Sequence, residues 1–314
     1  MINAVVDLEG LKSMILDSKF EFRKENIDGS DSFSGESPKE FDQHDAVVIH
    51  QPEENAISEI EIMRFATKRD ATRYSMNHKK RGKCVIFNQV LFDWVGSERK
   101  GSNFDVKMIS RTFRSLGFEL DPCHNLSYSK IMEKVDELCK ENHKDCDCIC
   151  FFILTHGSEE NWVRARDVSY QIRDIWKKFT ADNCPSLASK PKLFFIQACR
   201  GTKNEKPVRG RSVTDSSKNE EIYNIPSHAD FLYASSTVEG FNSRRDPEKG
   251  TWYIQTLCEV IQDHWRDTDL LRMLTITARK VATTEYPDEE ALTQMPSTTT
   301  TLIRDLYFTP KDES

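Results

Sequence analysis

Long uncharged apolar segments are missing from this sequence of 314 residues. No stretch approaches the roughly 18–20 apolar residues that a membrane-spanning helix needs. Residues 1–22 mix charges into every short apolar run, so they lack the pattern of a secretory signal peptide. We therefore expect a soluble, intracellular protein with no membrane partner. The expected location is the cytoplasm, with the nucleus as a second compartment.

An excess of positive charge is also missing, because the net charge is −7. Nucleic-acid binders need clustered Lys and Arg against the phosphate backbone, so this balance argues against a nucleic-acid partner. The charge is unevenly distributed. Residues 21–61 hold twelve acidic side chains against three basic ones, with Ser, Gly and Pro interspersed. This composition favours disorder.

The sign of the charge reverses in residues 62–83, which hold eight basic side chains and one acidic one, Asp70. Four of the basic residues lie close together: Lys79, Lys80, Arg81 and Lys83. Such runs are usually solvated, so we interpret this one as a linker. A patch that grips substrates or a nuclear address are the alternatives.

A disulfide framework is missing as well, since the nine cysteines are an odd number without regular spacing. Cys146, Cys148 and Cys150 alternate in DCDCIC, as side chains on one face of a strand do. A zinc-binding interaction module is the alternative, but familiar zinc sites leave two to four residues between ligands. We interpret these cysteines as small buried side chains of a strand and expect no metal.

Regular structure is predicted from Tyr74 onward, where apolar β-branched runs alternate with helical periodicity. The predicted strands are 83–92, 148–157, 192–201, 230–237 and a final β-rich segment, 298–308. The predicted helices are 104–118, 127–142, 167–179, 251–265 and 269–283. Strands that alternate with helices indicate an α/β fold, with a mainly parallel sheet covered by helices on both faces.

Two of the predicted strands end in groups that suit nucleophilic catalysis. THG ends one at His156 and Gly157, and QACRG ends another at Cys199. In open parallel sheets, ligands bind beyond the carboxyl ends of the strands. A thiol must be ionised to attack a carbonyl carbon, and a neighbouring imidazole can take its proton. We therefore predict Cys199 as nucleophile and His156 as base, with the N–H groups of Cys199 and Gly157 stabilising an oxyanion.

The pentapeptide QACRG matches the caspase signature, in which a histidine lies about 50 residues upstream. The chain resembles the caspase family from about Tyr74 to Phe308. The matching segments are YSMNHKKRGKCVIFN, RKGSNFDVKMI, LTHGSEE, PKLFFIQACRG, ADFLYASST, GTWYIQTLCEV and DLYF. The resemblance implies a caspase-like fold with six strands, and a cysteine endopeptidase that cuts after aspartate through a thioester acyl-enzyme. It implies no cofactor and no metal.

A pocket for the aspartate before the cut is also implied by the resemblance. Its residues in this sequence are Arg99, Gln197 and Arg245, and Ser243 contributes backbone contacts to the extended peptide. Planar guanidinium groups suit a short carboxylate. For the outer subsites the implied residues are Asn242, Arg244 and Trp252. The first two replace aromatic side chains of effector-type caspases, so the preference four residues before the cut stays open, with an acidic residue as the expectation.

The resemblance further implies a zymogen that matures by cleavage after its own aspartates. We expect three parts: an acidic, disordered prodomain (1–70), a large subunit (71–215) and a small subunit (216–314). Asp215, followed by a small serine in an unpatterned loop, is the predicted cut between the subunits. The candidates for removal of the prodomain are Asp28, Asp31 and Asp70, with Asp31 preferred.

The short prodomain resembles that of executioner caspases, which implies a role in apoptosis. The implied partners are protein substrates, an upstream initiator caspase and a second copy of the chain, paired through the segment 298–308. Inhibitor-of-apoptosis proteins are a further possible partner, through Ala71 exposed by a cut at Asp70. Two alternatives are an inactive caspase-like regulator and a metacaspase-like enzyme that cuts after Arg or Lys. The first lacks its usual mark here, a broken catalytic pair, and the second would need an acidic pocket.

Overall fold

Six strands form one sheet in the computed structural model, which describes residues 67, 70–94, 98–200, 227–239, 241, 243, 245–284 and 293–311. In spatial order they are β10 (Ser297–Thr300), β7 (Phe231–Ser235), β6 (Lys192–Gln197), β3 (Ile149–Leu154), β1 (Lys83–Asn88) and β2 (Glu119–His124). All neighbours run parallel except β10, which is antiparallel to β7. The predicted six-stranded, mainly parallel sheet is confirmed.

Helices cover both faces of this sheet, as predicted. One face packs against α1 (Ser102–Ser115), α4 (Trp252–His264) and α5 (Leu270–Thr283). The other packs against α2 (Tyr128–Lys140), the short α3 (Arg173–Trp176) and a hairpin of β4 (Trp162–Arg164) and β5 (Ser169–Gln171). A second small hairpin joins β8 (Arg245–Asp246) to β9 (Gly250–Thr251). No helix within the described ranges is long and apolar enough to cross a membrane.

Strand β3 is apolar throughout and β6 is apolar between Lys192 and Gln197, because both faces of these two central strands are buried. In β3, Cys150, Phe152 and Leu154 join the core under α1, α4 and α5. Phe151 and Ile153 join the opposite core, under α2 and the β4–β5 hairpin. Each fully buried side chain of the larger apolar types contributes about 1.5–3 kcal/mol to folding. The strand therefore lies deep in the sheet, and its carboxyl end is held rigidly.

The structure differs from the sequence-based prediction at several elements, most clearly at β2, at β5 and in the final segment. Strand β2, Glu119–His124, was not predicted because it is half-exposed, contains Pro122 and lies at a sheet edge, where proline is tolerated. The predicted helix 167–179 begins instead as β5, because pairing with β4 captures residues 169–171. Of the final segment 298–308, only residues 298–300 form part of a strand, and Leu306 and Phe308 then return to the core.

A buried charge cluster ties the beginning of the described chain to its end. Asp147 is fully buried and accepts hydrogen bonds from Arg81 Nη1 at 2.8 Å and His78 Nδ1 at 3.0 Å. Lys311 Nζ lies 2.6 Å from the same carboxylate. Arg81 also donates to the carbonyl oxygens of Leu116 and Thr309. The linker interpretation of this basic run is therefore wrong for Arg81, which is a core residue because Asp147 neutralises it.

Asp147→Ala removes the carboxylate at the centre of this cluster and leaves the buried guanidinium group of Arg81 without its counter-charge. We therefore expect this substitution to lower the free energy of unfolding by about 3–5 kcal/mol. Urea denaturation measures the change, in a Cys199→Ala background that prevents the predicted self-cleavage. The matched control is Asp145→Ala, because Asp145 is exposed two residues away, and it should change stability by no more than about 0.5 kcal/mol. Equal effects of the two substitutions would contradict this account.

Candidate active site

The register of two neighbouring strands brings the predicted catalytic residues together. Leu154 of β3 lies opposite Gln197 of β6, and Thr155 N donates to Gln197 O at 3.1 Å. The chain after each strand therefore leaves the sheet at the same level. A side chain at Gly157 would overlap the carbonyl oxygen of Cys199, so only glycine permits this contact between the two loops.

The half-buried thiol of Cys199 is held against the segment that follows β7. Its Sγ accepts a hydrogen bond from Ser243 N at 3.4 Å, and Arg200 N donates to Phe241 O at 3.0 Å. Among the described residues, the backbone N–H groups of Cys199 and Gly157 have no backbone acceptor. Two backbone donors in these adjacent loops thus lack a backbone acceptor within the described part of the chain.

The histidine is positioned by the β4–β5 hairpin and by an aromatic side chain. His156 O accepts a hydrogen bond from Arg164 N at 3.0 Å, and Thr155 Oγ1 donates to Arg164 O at 2.6 Å. The imidazole ring lies 5.0 Å from the ring of Phe92, centroid to centroid. The hydrogen bonds thus fix the backbone of His156, and Phe92 packs against its imidazole ring.

The two predicted pocket arginines differ in their surroundings. Arg99 is 1% exposed, and its Nη1 donates to Gln89 O and to Ser102 Oγ, each at 3.0 Å. Its Nε finds no partner among the described residues. Arg245, at the start of β8, is half-buried. The structure thus offers a buried donor without an acceptor beside a second guanidinium group.

A buried amide lies at the same place. Gln197 is 3% exposed, and its Nε2 donates to Ser243 Oγ at 2.6 Å. Its Oε1 has no partner within the described part of the chain. The amide therefore ties β6 to the segment around Ser243 and keeps one polar atom unused.

The electrostatics of this pocket show a deficit of negative charge. Burial, and then the like charge of Arg245, lower the pKa of Arg99 to about 9, against the opposing effect of Asp105 and Cys199. Burial also lowers the pKa of Arg245, again against Asp105 and Cys199. Among the described residues, Asp105 is the one carboxylate that acts on the pKa of both guanidinium groups. An incoming anion would relieve this imbalance.

Asp105 is a buried residue beside the predicted pocket that the sequence analysis did not identify. Its fully buried side chain accepts hydrogen bonds through Oδ1 from Thr251 N at 2.8 Å and Gln255 Nε2 at 2.9 Å. It therefore fixes the start of α4 against α1, behind the two arginines. The signal was present, since Asp105 lies four residues before Ile109 on the apolar stripe of α1. A carboxylate on such a stripe needs partners.

Of the remaining predicted residues, two lie within the described part of the chain and five lie outside it. Trp252 is half-buried at the first position of α4. Asp70 is exposed. Outside the described residues lie Asn242, Arg244, Asp215, Asp28 and Asp31.

The chain is similar to known proteins over most of its length. The peptidase family described as "Caspase domain" matches residues 81–307. Caspase drICE of Drosophila melanogaster is 38% identical over 260 residues, which cover 80% of this chain and 76% of that protein. Caspase-6 of Mus musculus is 35% identical, over 77% of this chain and 93% of that protein. The crystal structure of caspase-1 from Spodoptera frugiperda matches with a TM-score of 0.73 at 37% identity, covering 81% of this chain and 99% of that one.

The surroundings of the cysteines predict which thiol reacts first. Cys84, Cys148, Cys150, Cys184 and Cys258 are fully buried. Burial and Asp121 raise the pKa of Cys123 to about 11, which keeps it a poorly reactive thiol at pH 7. With substoichiometric iodoacetamide at pH 7, peptide mass spectrometry should find Cys199 labelled first. His156→Ala should slow this labelling about tenfold or more and leave that of the half-buried Cys139 unchanged.

Proposed function

The chain belongs to the caspase family and is a cysteine-type endopeptidase, and we propose that it cleaves proteins after aspartate with Cys199 as nucleophile and His156 as base. One observation carries the choice of aspartate: Arg99 is buried with its Nε unpartnered among the described residues, and it interacts with Arg245 and Cys199. Peptide side chains that carry a negative charge are Asp and Glu, and of these two the resemblance to caspases implies Asp. A metacaspase-like preference for Arg or Lys would place like charges together.

The reaction begins when His156 takes the proton of Cys199 and the thiolate attacks the carbonyl carbon of the bond to be cut. The N–H groups of Cys199 and Gly157 donate to the oxyanion of the tetrahedral intermediate. His156 then gives its proton to the leaving amine, and a thioester remains on Cys199. Water attacks the thioester with His156 as general base, and the thiolate leaves. This chemistry uses side chains and backbone of this chain alone.

The aspartate carboxylate takes the place of the missing anion between the two guanidinium groups. When the Gln197 amide rotates by half a turn, its Oε1 accepts a hydrogen bond from the Ser243 hydroxyl and its Nε2 points toward that carboxylate. Both orientations fit the same space, because the amide N and O atoms are nearly identical in size. The backbone at Ser243 pairs with the extended peptide before the cut, as an added strand does. Trp252, with Asn242 and Arg244, lines the outer subsites.

Maturation follows from the same specificity. Cleavage at Asp215 separates a large subunit (71–215) from a small subunit (216–314), and an upstream initiator caspase is the expected first protease. For removal of the prodomain (1–70), Asp31 or Asp28 is favoured over Asp70. A new N-terminus at Ala71 would be poorly available to inhibitor-of-apoptosis proteins, because Thr72 O bonds to Asp305 N and the buried Tyr74 donates from its hydroxyl to Asp230 at 2.7 Å.

Assembly as a homodimer of large–small subunit pairs is proposed through β10. This strand lies at the edge of the sheet and exposes Thr298, Thr299 and Thr300. An edge of β-branched residues pairs readily with a second copy across a two-fold axis. In this form the enzyme acts as an executioner of apoptosis in the cytoplasm.

Comparison of wild type with Cys199→Ala on a peptide library tests the proposed activity. We expect wild type to cut itself after Asp215 and to cleave library peptides after Asp, with weak cleavage after Glu. The variant should stay intact and inert, because it lacks the nucleophile. Folded wild type that is cut at Asp215 and still inactive would favour the inactive-regulator alternative. Cleavage after basic residues would refute the pocket.

Arg99→Gln tests the carboxylate pocket separately from the catalytic pair. Leaving one partner of a buried charge pair unmatched costs about 2–5 kcal/mol, so kcat/KM for Asp substrates should fall between about thirtyfold and several thousandfold. Iodoacetamide labelling of Cys199 should stay within about threefold of wild type. The matched control is Arg111→Gln on the exposed face of α1, which should leave kcat/KM unchanged. Comparable losses in both variants would contradict the assignment.

A further inference from the structure

We propose that Arg164, stacked on Trp94, selects an acidic side chain at one of the two positions that follow the cleaved bond. This inference deepens the proposed function and rests on it. It adds a specificity determinant on the leaving side of the substrate, away from the aspartate pocket. The ligand is a peptide carboxylate, from Asp or Glu.

The direction of the bound peptide follows from where the pocket and the catalytic residues attach to the fold. Asp105 of α1 accepts hydrogen bonds from Thr251 and Gln255, so the aspartate pocket lies over the face of the sheet that α1 and α4 cover. The β4–β5 hairpin beside His156 packs into the opposite core through Val163. A peptide that leaves the pocket and crosses the catalytic residues therefore runs toward this hairpin.

Arg164 lies on that path because of its register with the histidine. Gly157 and Val163 form an antiparallel bridge, and Arg164 N donates to His156 O at 3.0 Å, so His156 and Arg164 lie opposite each other. Residues that lie opposite each other in an antiparallel pair place their side chains on the same face of that pair, with Cβ atoms about 4.5–5.5 Å apart. An extended peptide advances about 3.3 Å per residue. The Arg164 side chain is thus within reach of the first two residues after the cut.

A row of rings fixes the guanidinium group in this position. The ring of His156 lies 5.0 Å from that of Phe92, and the ring of Phe92 lies 5.1 Å from that of Trp94. The guanidinium carbon of Arg164 lies 4.7 Å from the centre of a Trp94 ring. All four side chains are half-buried. An arginine stacked on an aromatic ring keeps its N–H groups directed outward in its own plane.

The charge of Arg164 is available for a ligand. Among ion pairs between described residues, its neighbour Arg166 pairs with Asp93 at 3.2 Å, whereas none involves Arg164. A planar guanidinium group with free N–H edges binds a carboxylate through two parallel hydrogen bonds. A lysine side chain at the same substrate position would meet a like charge. The geometry therefore favours acidic residues over neutral ones, and neutral over basic.

The test uses peptides that share one sequence through the cleaved Asp and carry Glu, Gln or Lys at each of the next two positions. At one of them, wild type should cleave the Glu peptide about threefold to tenfold faster in kcat/KM than the Gln peptide, and the Lys peptide slowest. Arg164→Gln should abolish this ranking and Arg164→Glu should reverse it. Arg111→Gln should keep it. Because the charges are partly exposed, 0.5 M NaCl should weaken the ranking.

Three outcomes are distinguishable. Equal rates for wild type on the Glu, Gln and Lys peptides would overturn this inference and leave the proposed function intact. A uniform loss in Arg164→Glu on all peptides, without reversal, would assign Arg164 a structural role and overturn the inference as well. Absence of cleavage of every peptide by folded, matured wild type would instead refute the proposed function. The wild-type ranking needs no variant, so the test holds even if a variant fails to fold.

Discussion

The parallel pairing of β3 with β6 is the interaction on which the rest of the site depends. It sets Leu154 opposite Gln197, so the loops that carry His156 and Cys199 leave the sheet side by side. The pairing is rigid because aromatic residues of both strands stack on both faces, as Phe152 and Phe195 do at 4.7 Å. A slip of one residue would turn every one of these side chains to the opposite core. Apolar packing thus maintains the relative position of these two loops.

Charge imbalance at the end of these strands is maintained by the same rigidity. Two guanidinium groups face one buried carboxylate, Asp105, which is itself held by Thr251 and Gln255. An isolated arrangement of this kind would cost free energy, and the large cores on the two faces of the sheet offset that cost. The buried cluster around Asp147 at the other end of the strands is different, because its carboxylate has basic partners on several sides. One cluster is satisfied and holds the chain together, whereas the other leaves Arg99 Nε without a partner among the described residues.

The two sides of the proposed substrate channel are built by different means. The aspartate pocket depends on the buried Arg99 before α1, on Gln197 of β6 and on the half-buried Arg245 of β8. The leaving side depends on a half-exposed stack of Phe92, Trp94 and Arg164 that the β4–β5 hairpin supports. Buried charge pairs discriminate strongly, and partly exposed pairs discriminate weakly. We accordingly expect a strict preference for aspartate at the residue before the cut. The preference for acidic residues after the cut should be weaker.

The sequence by itself determined the alternation of strands and helices and the sheet class, and it predicted Cys199 and His156 as the catalytic pair, because each of these depends on contiguous apolar runs or on a short signature. It did not determine β2 or β5, since an edge strand with proline and a strand of three residues form only through partners distant in the chain. Only the tertiary structure decided that Asp105 lies behind the two arginines, that Arg81 is a core residue, and that Arg164 lies opposite His156. These placements follow from non-local hydrogen bonds and burial, which local composition does not encode.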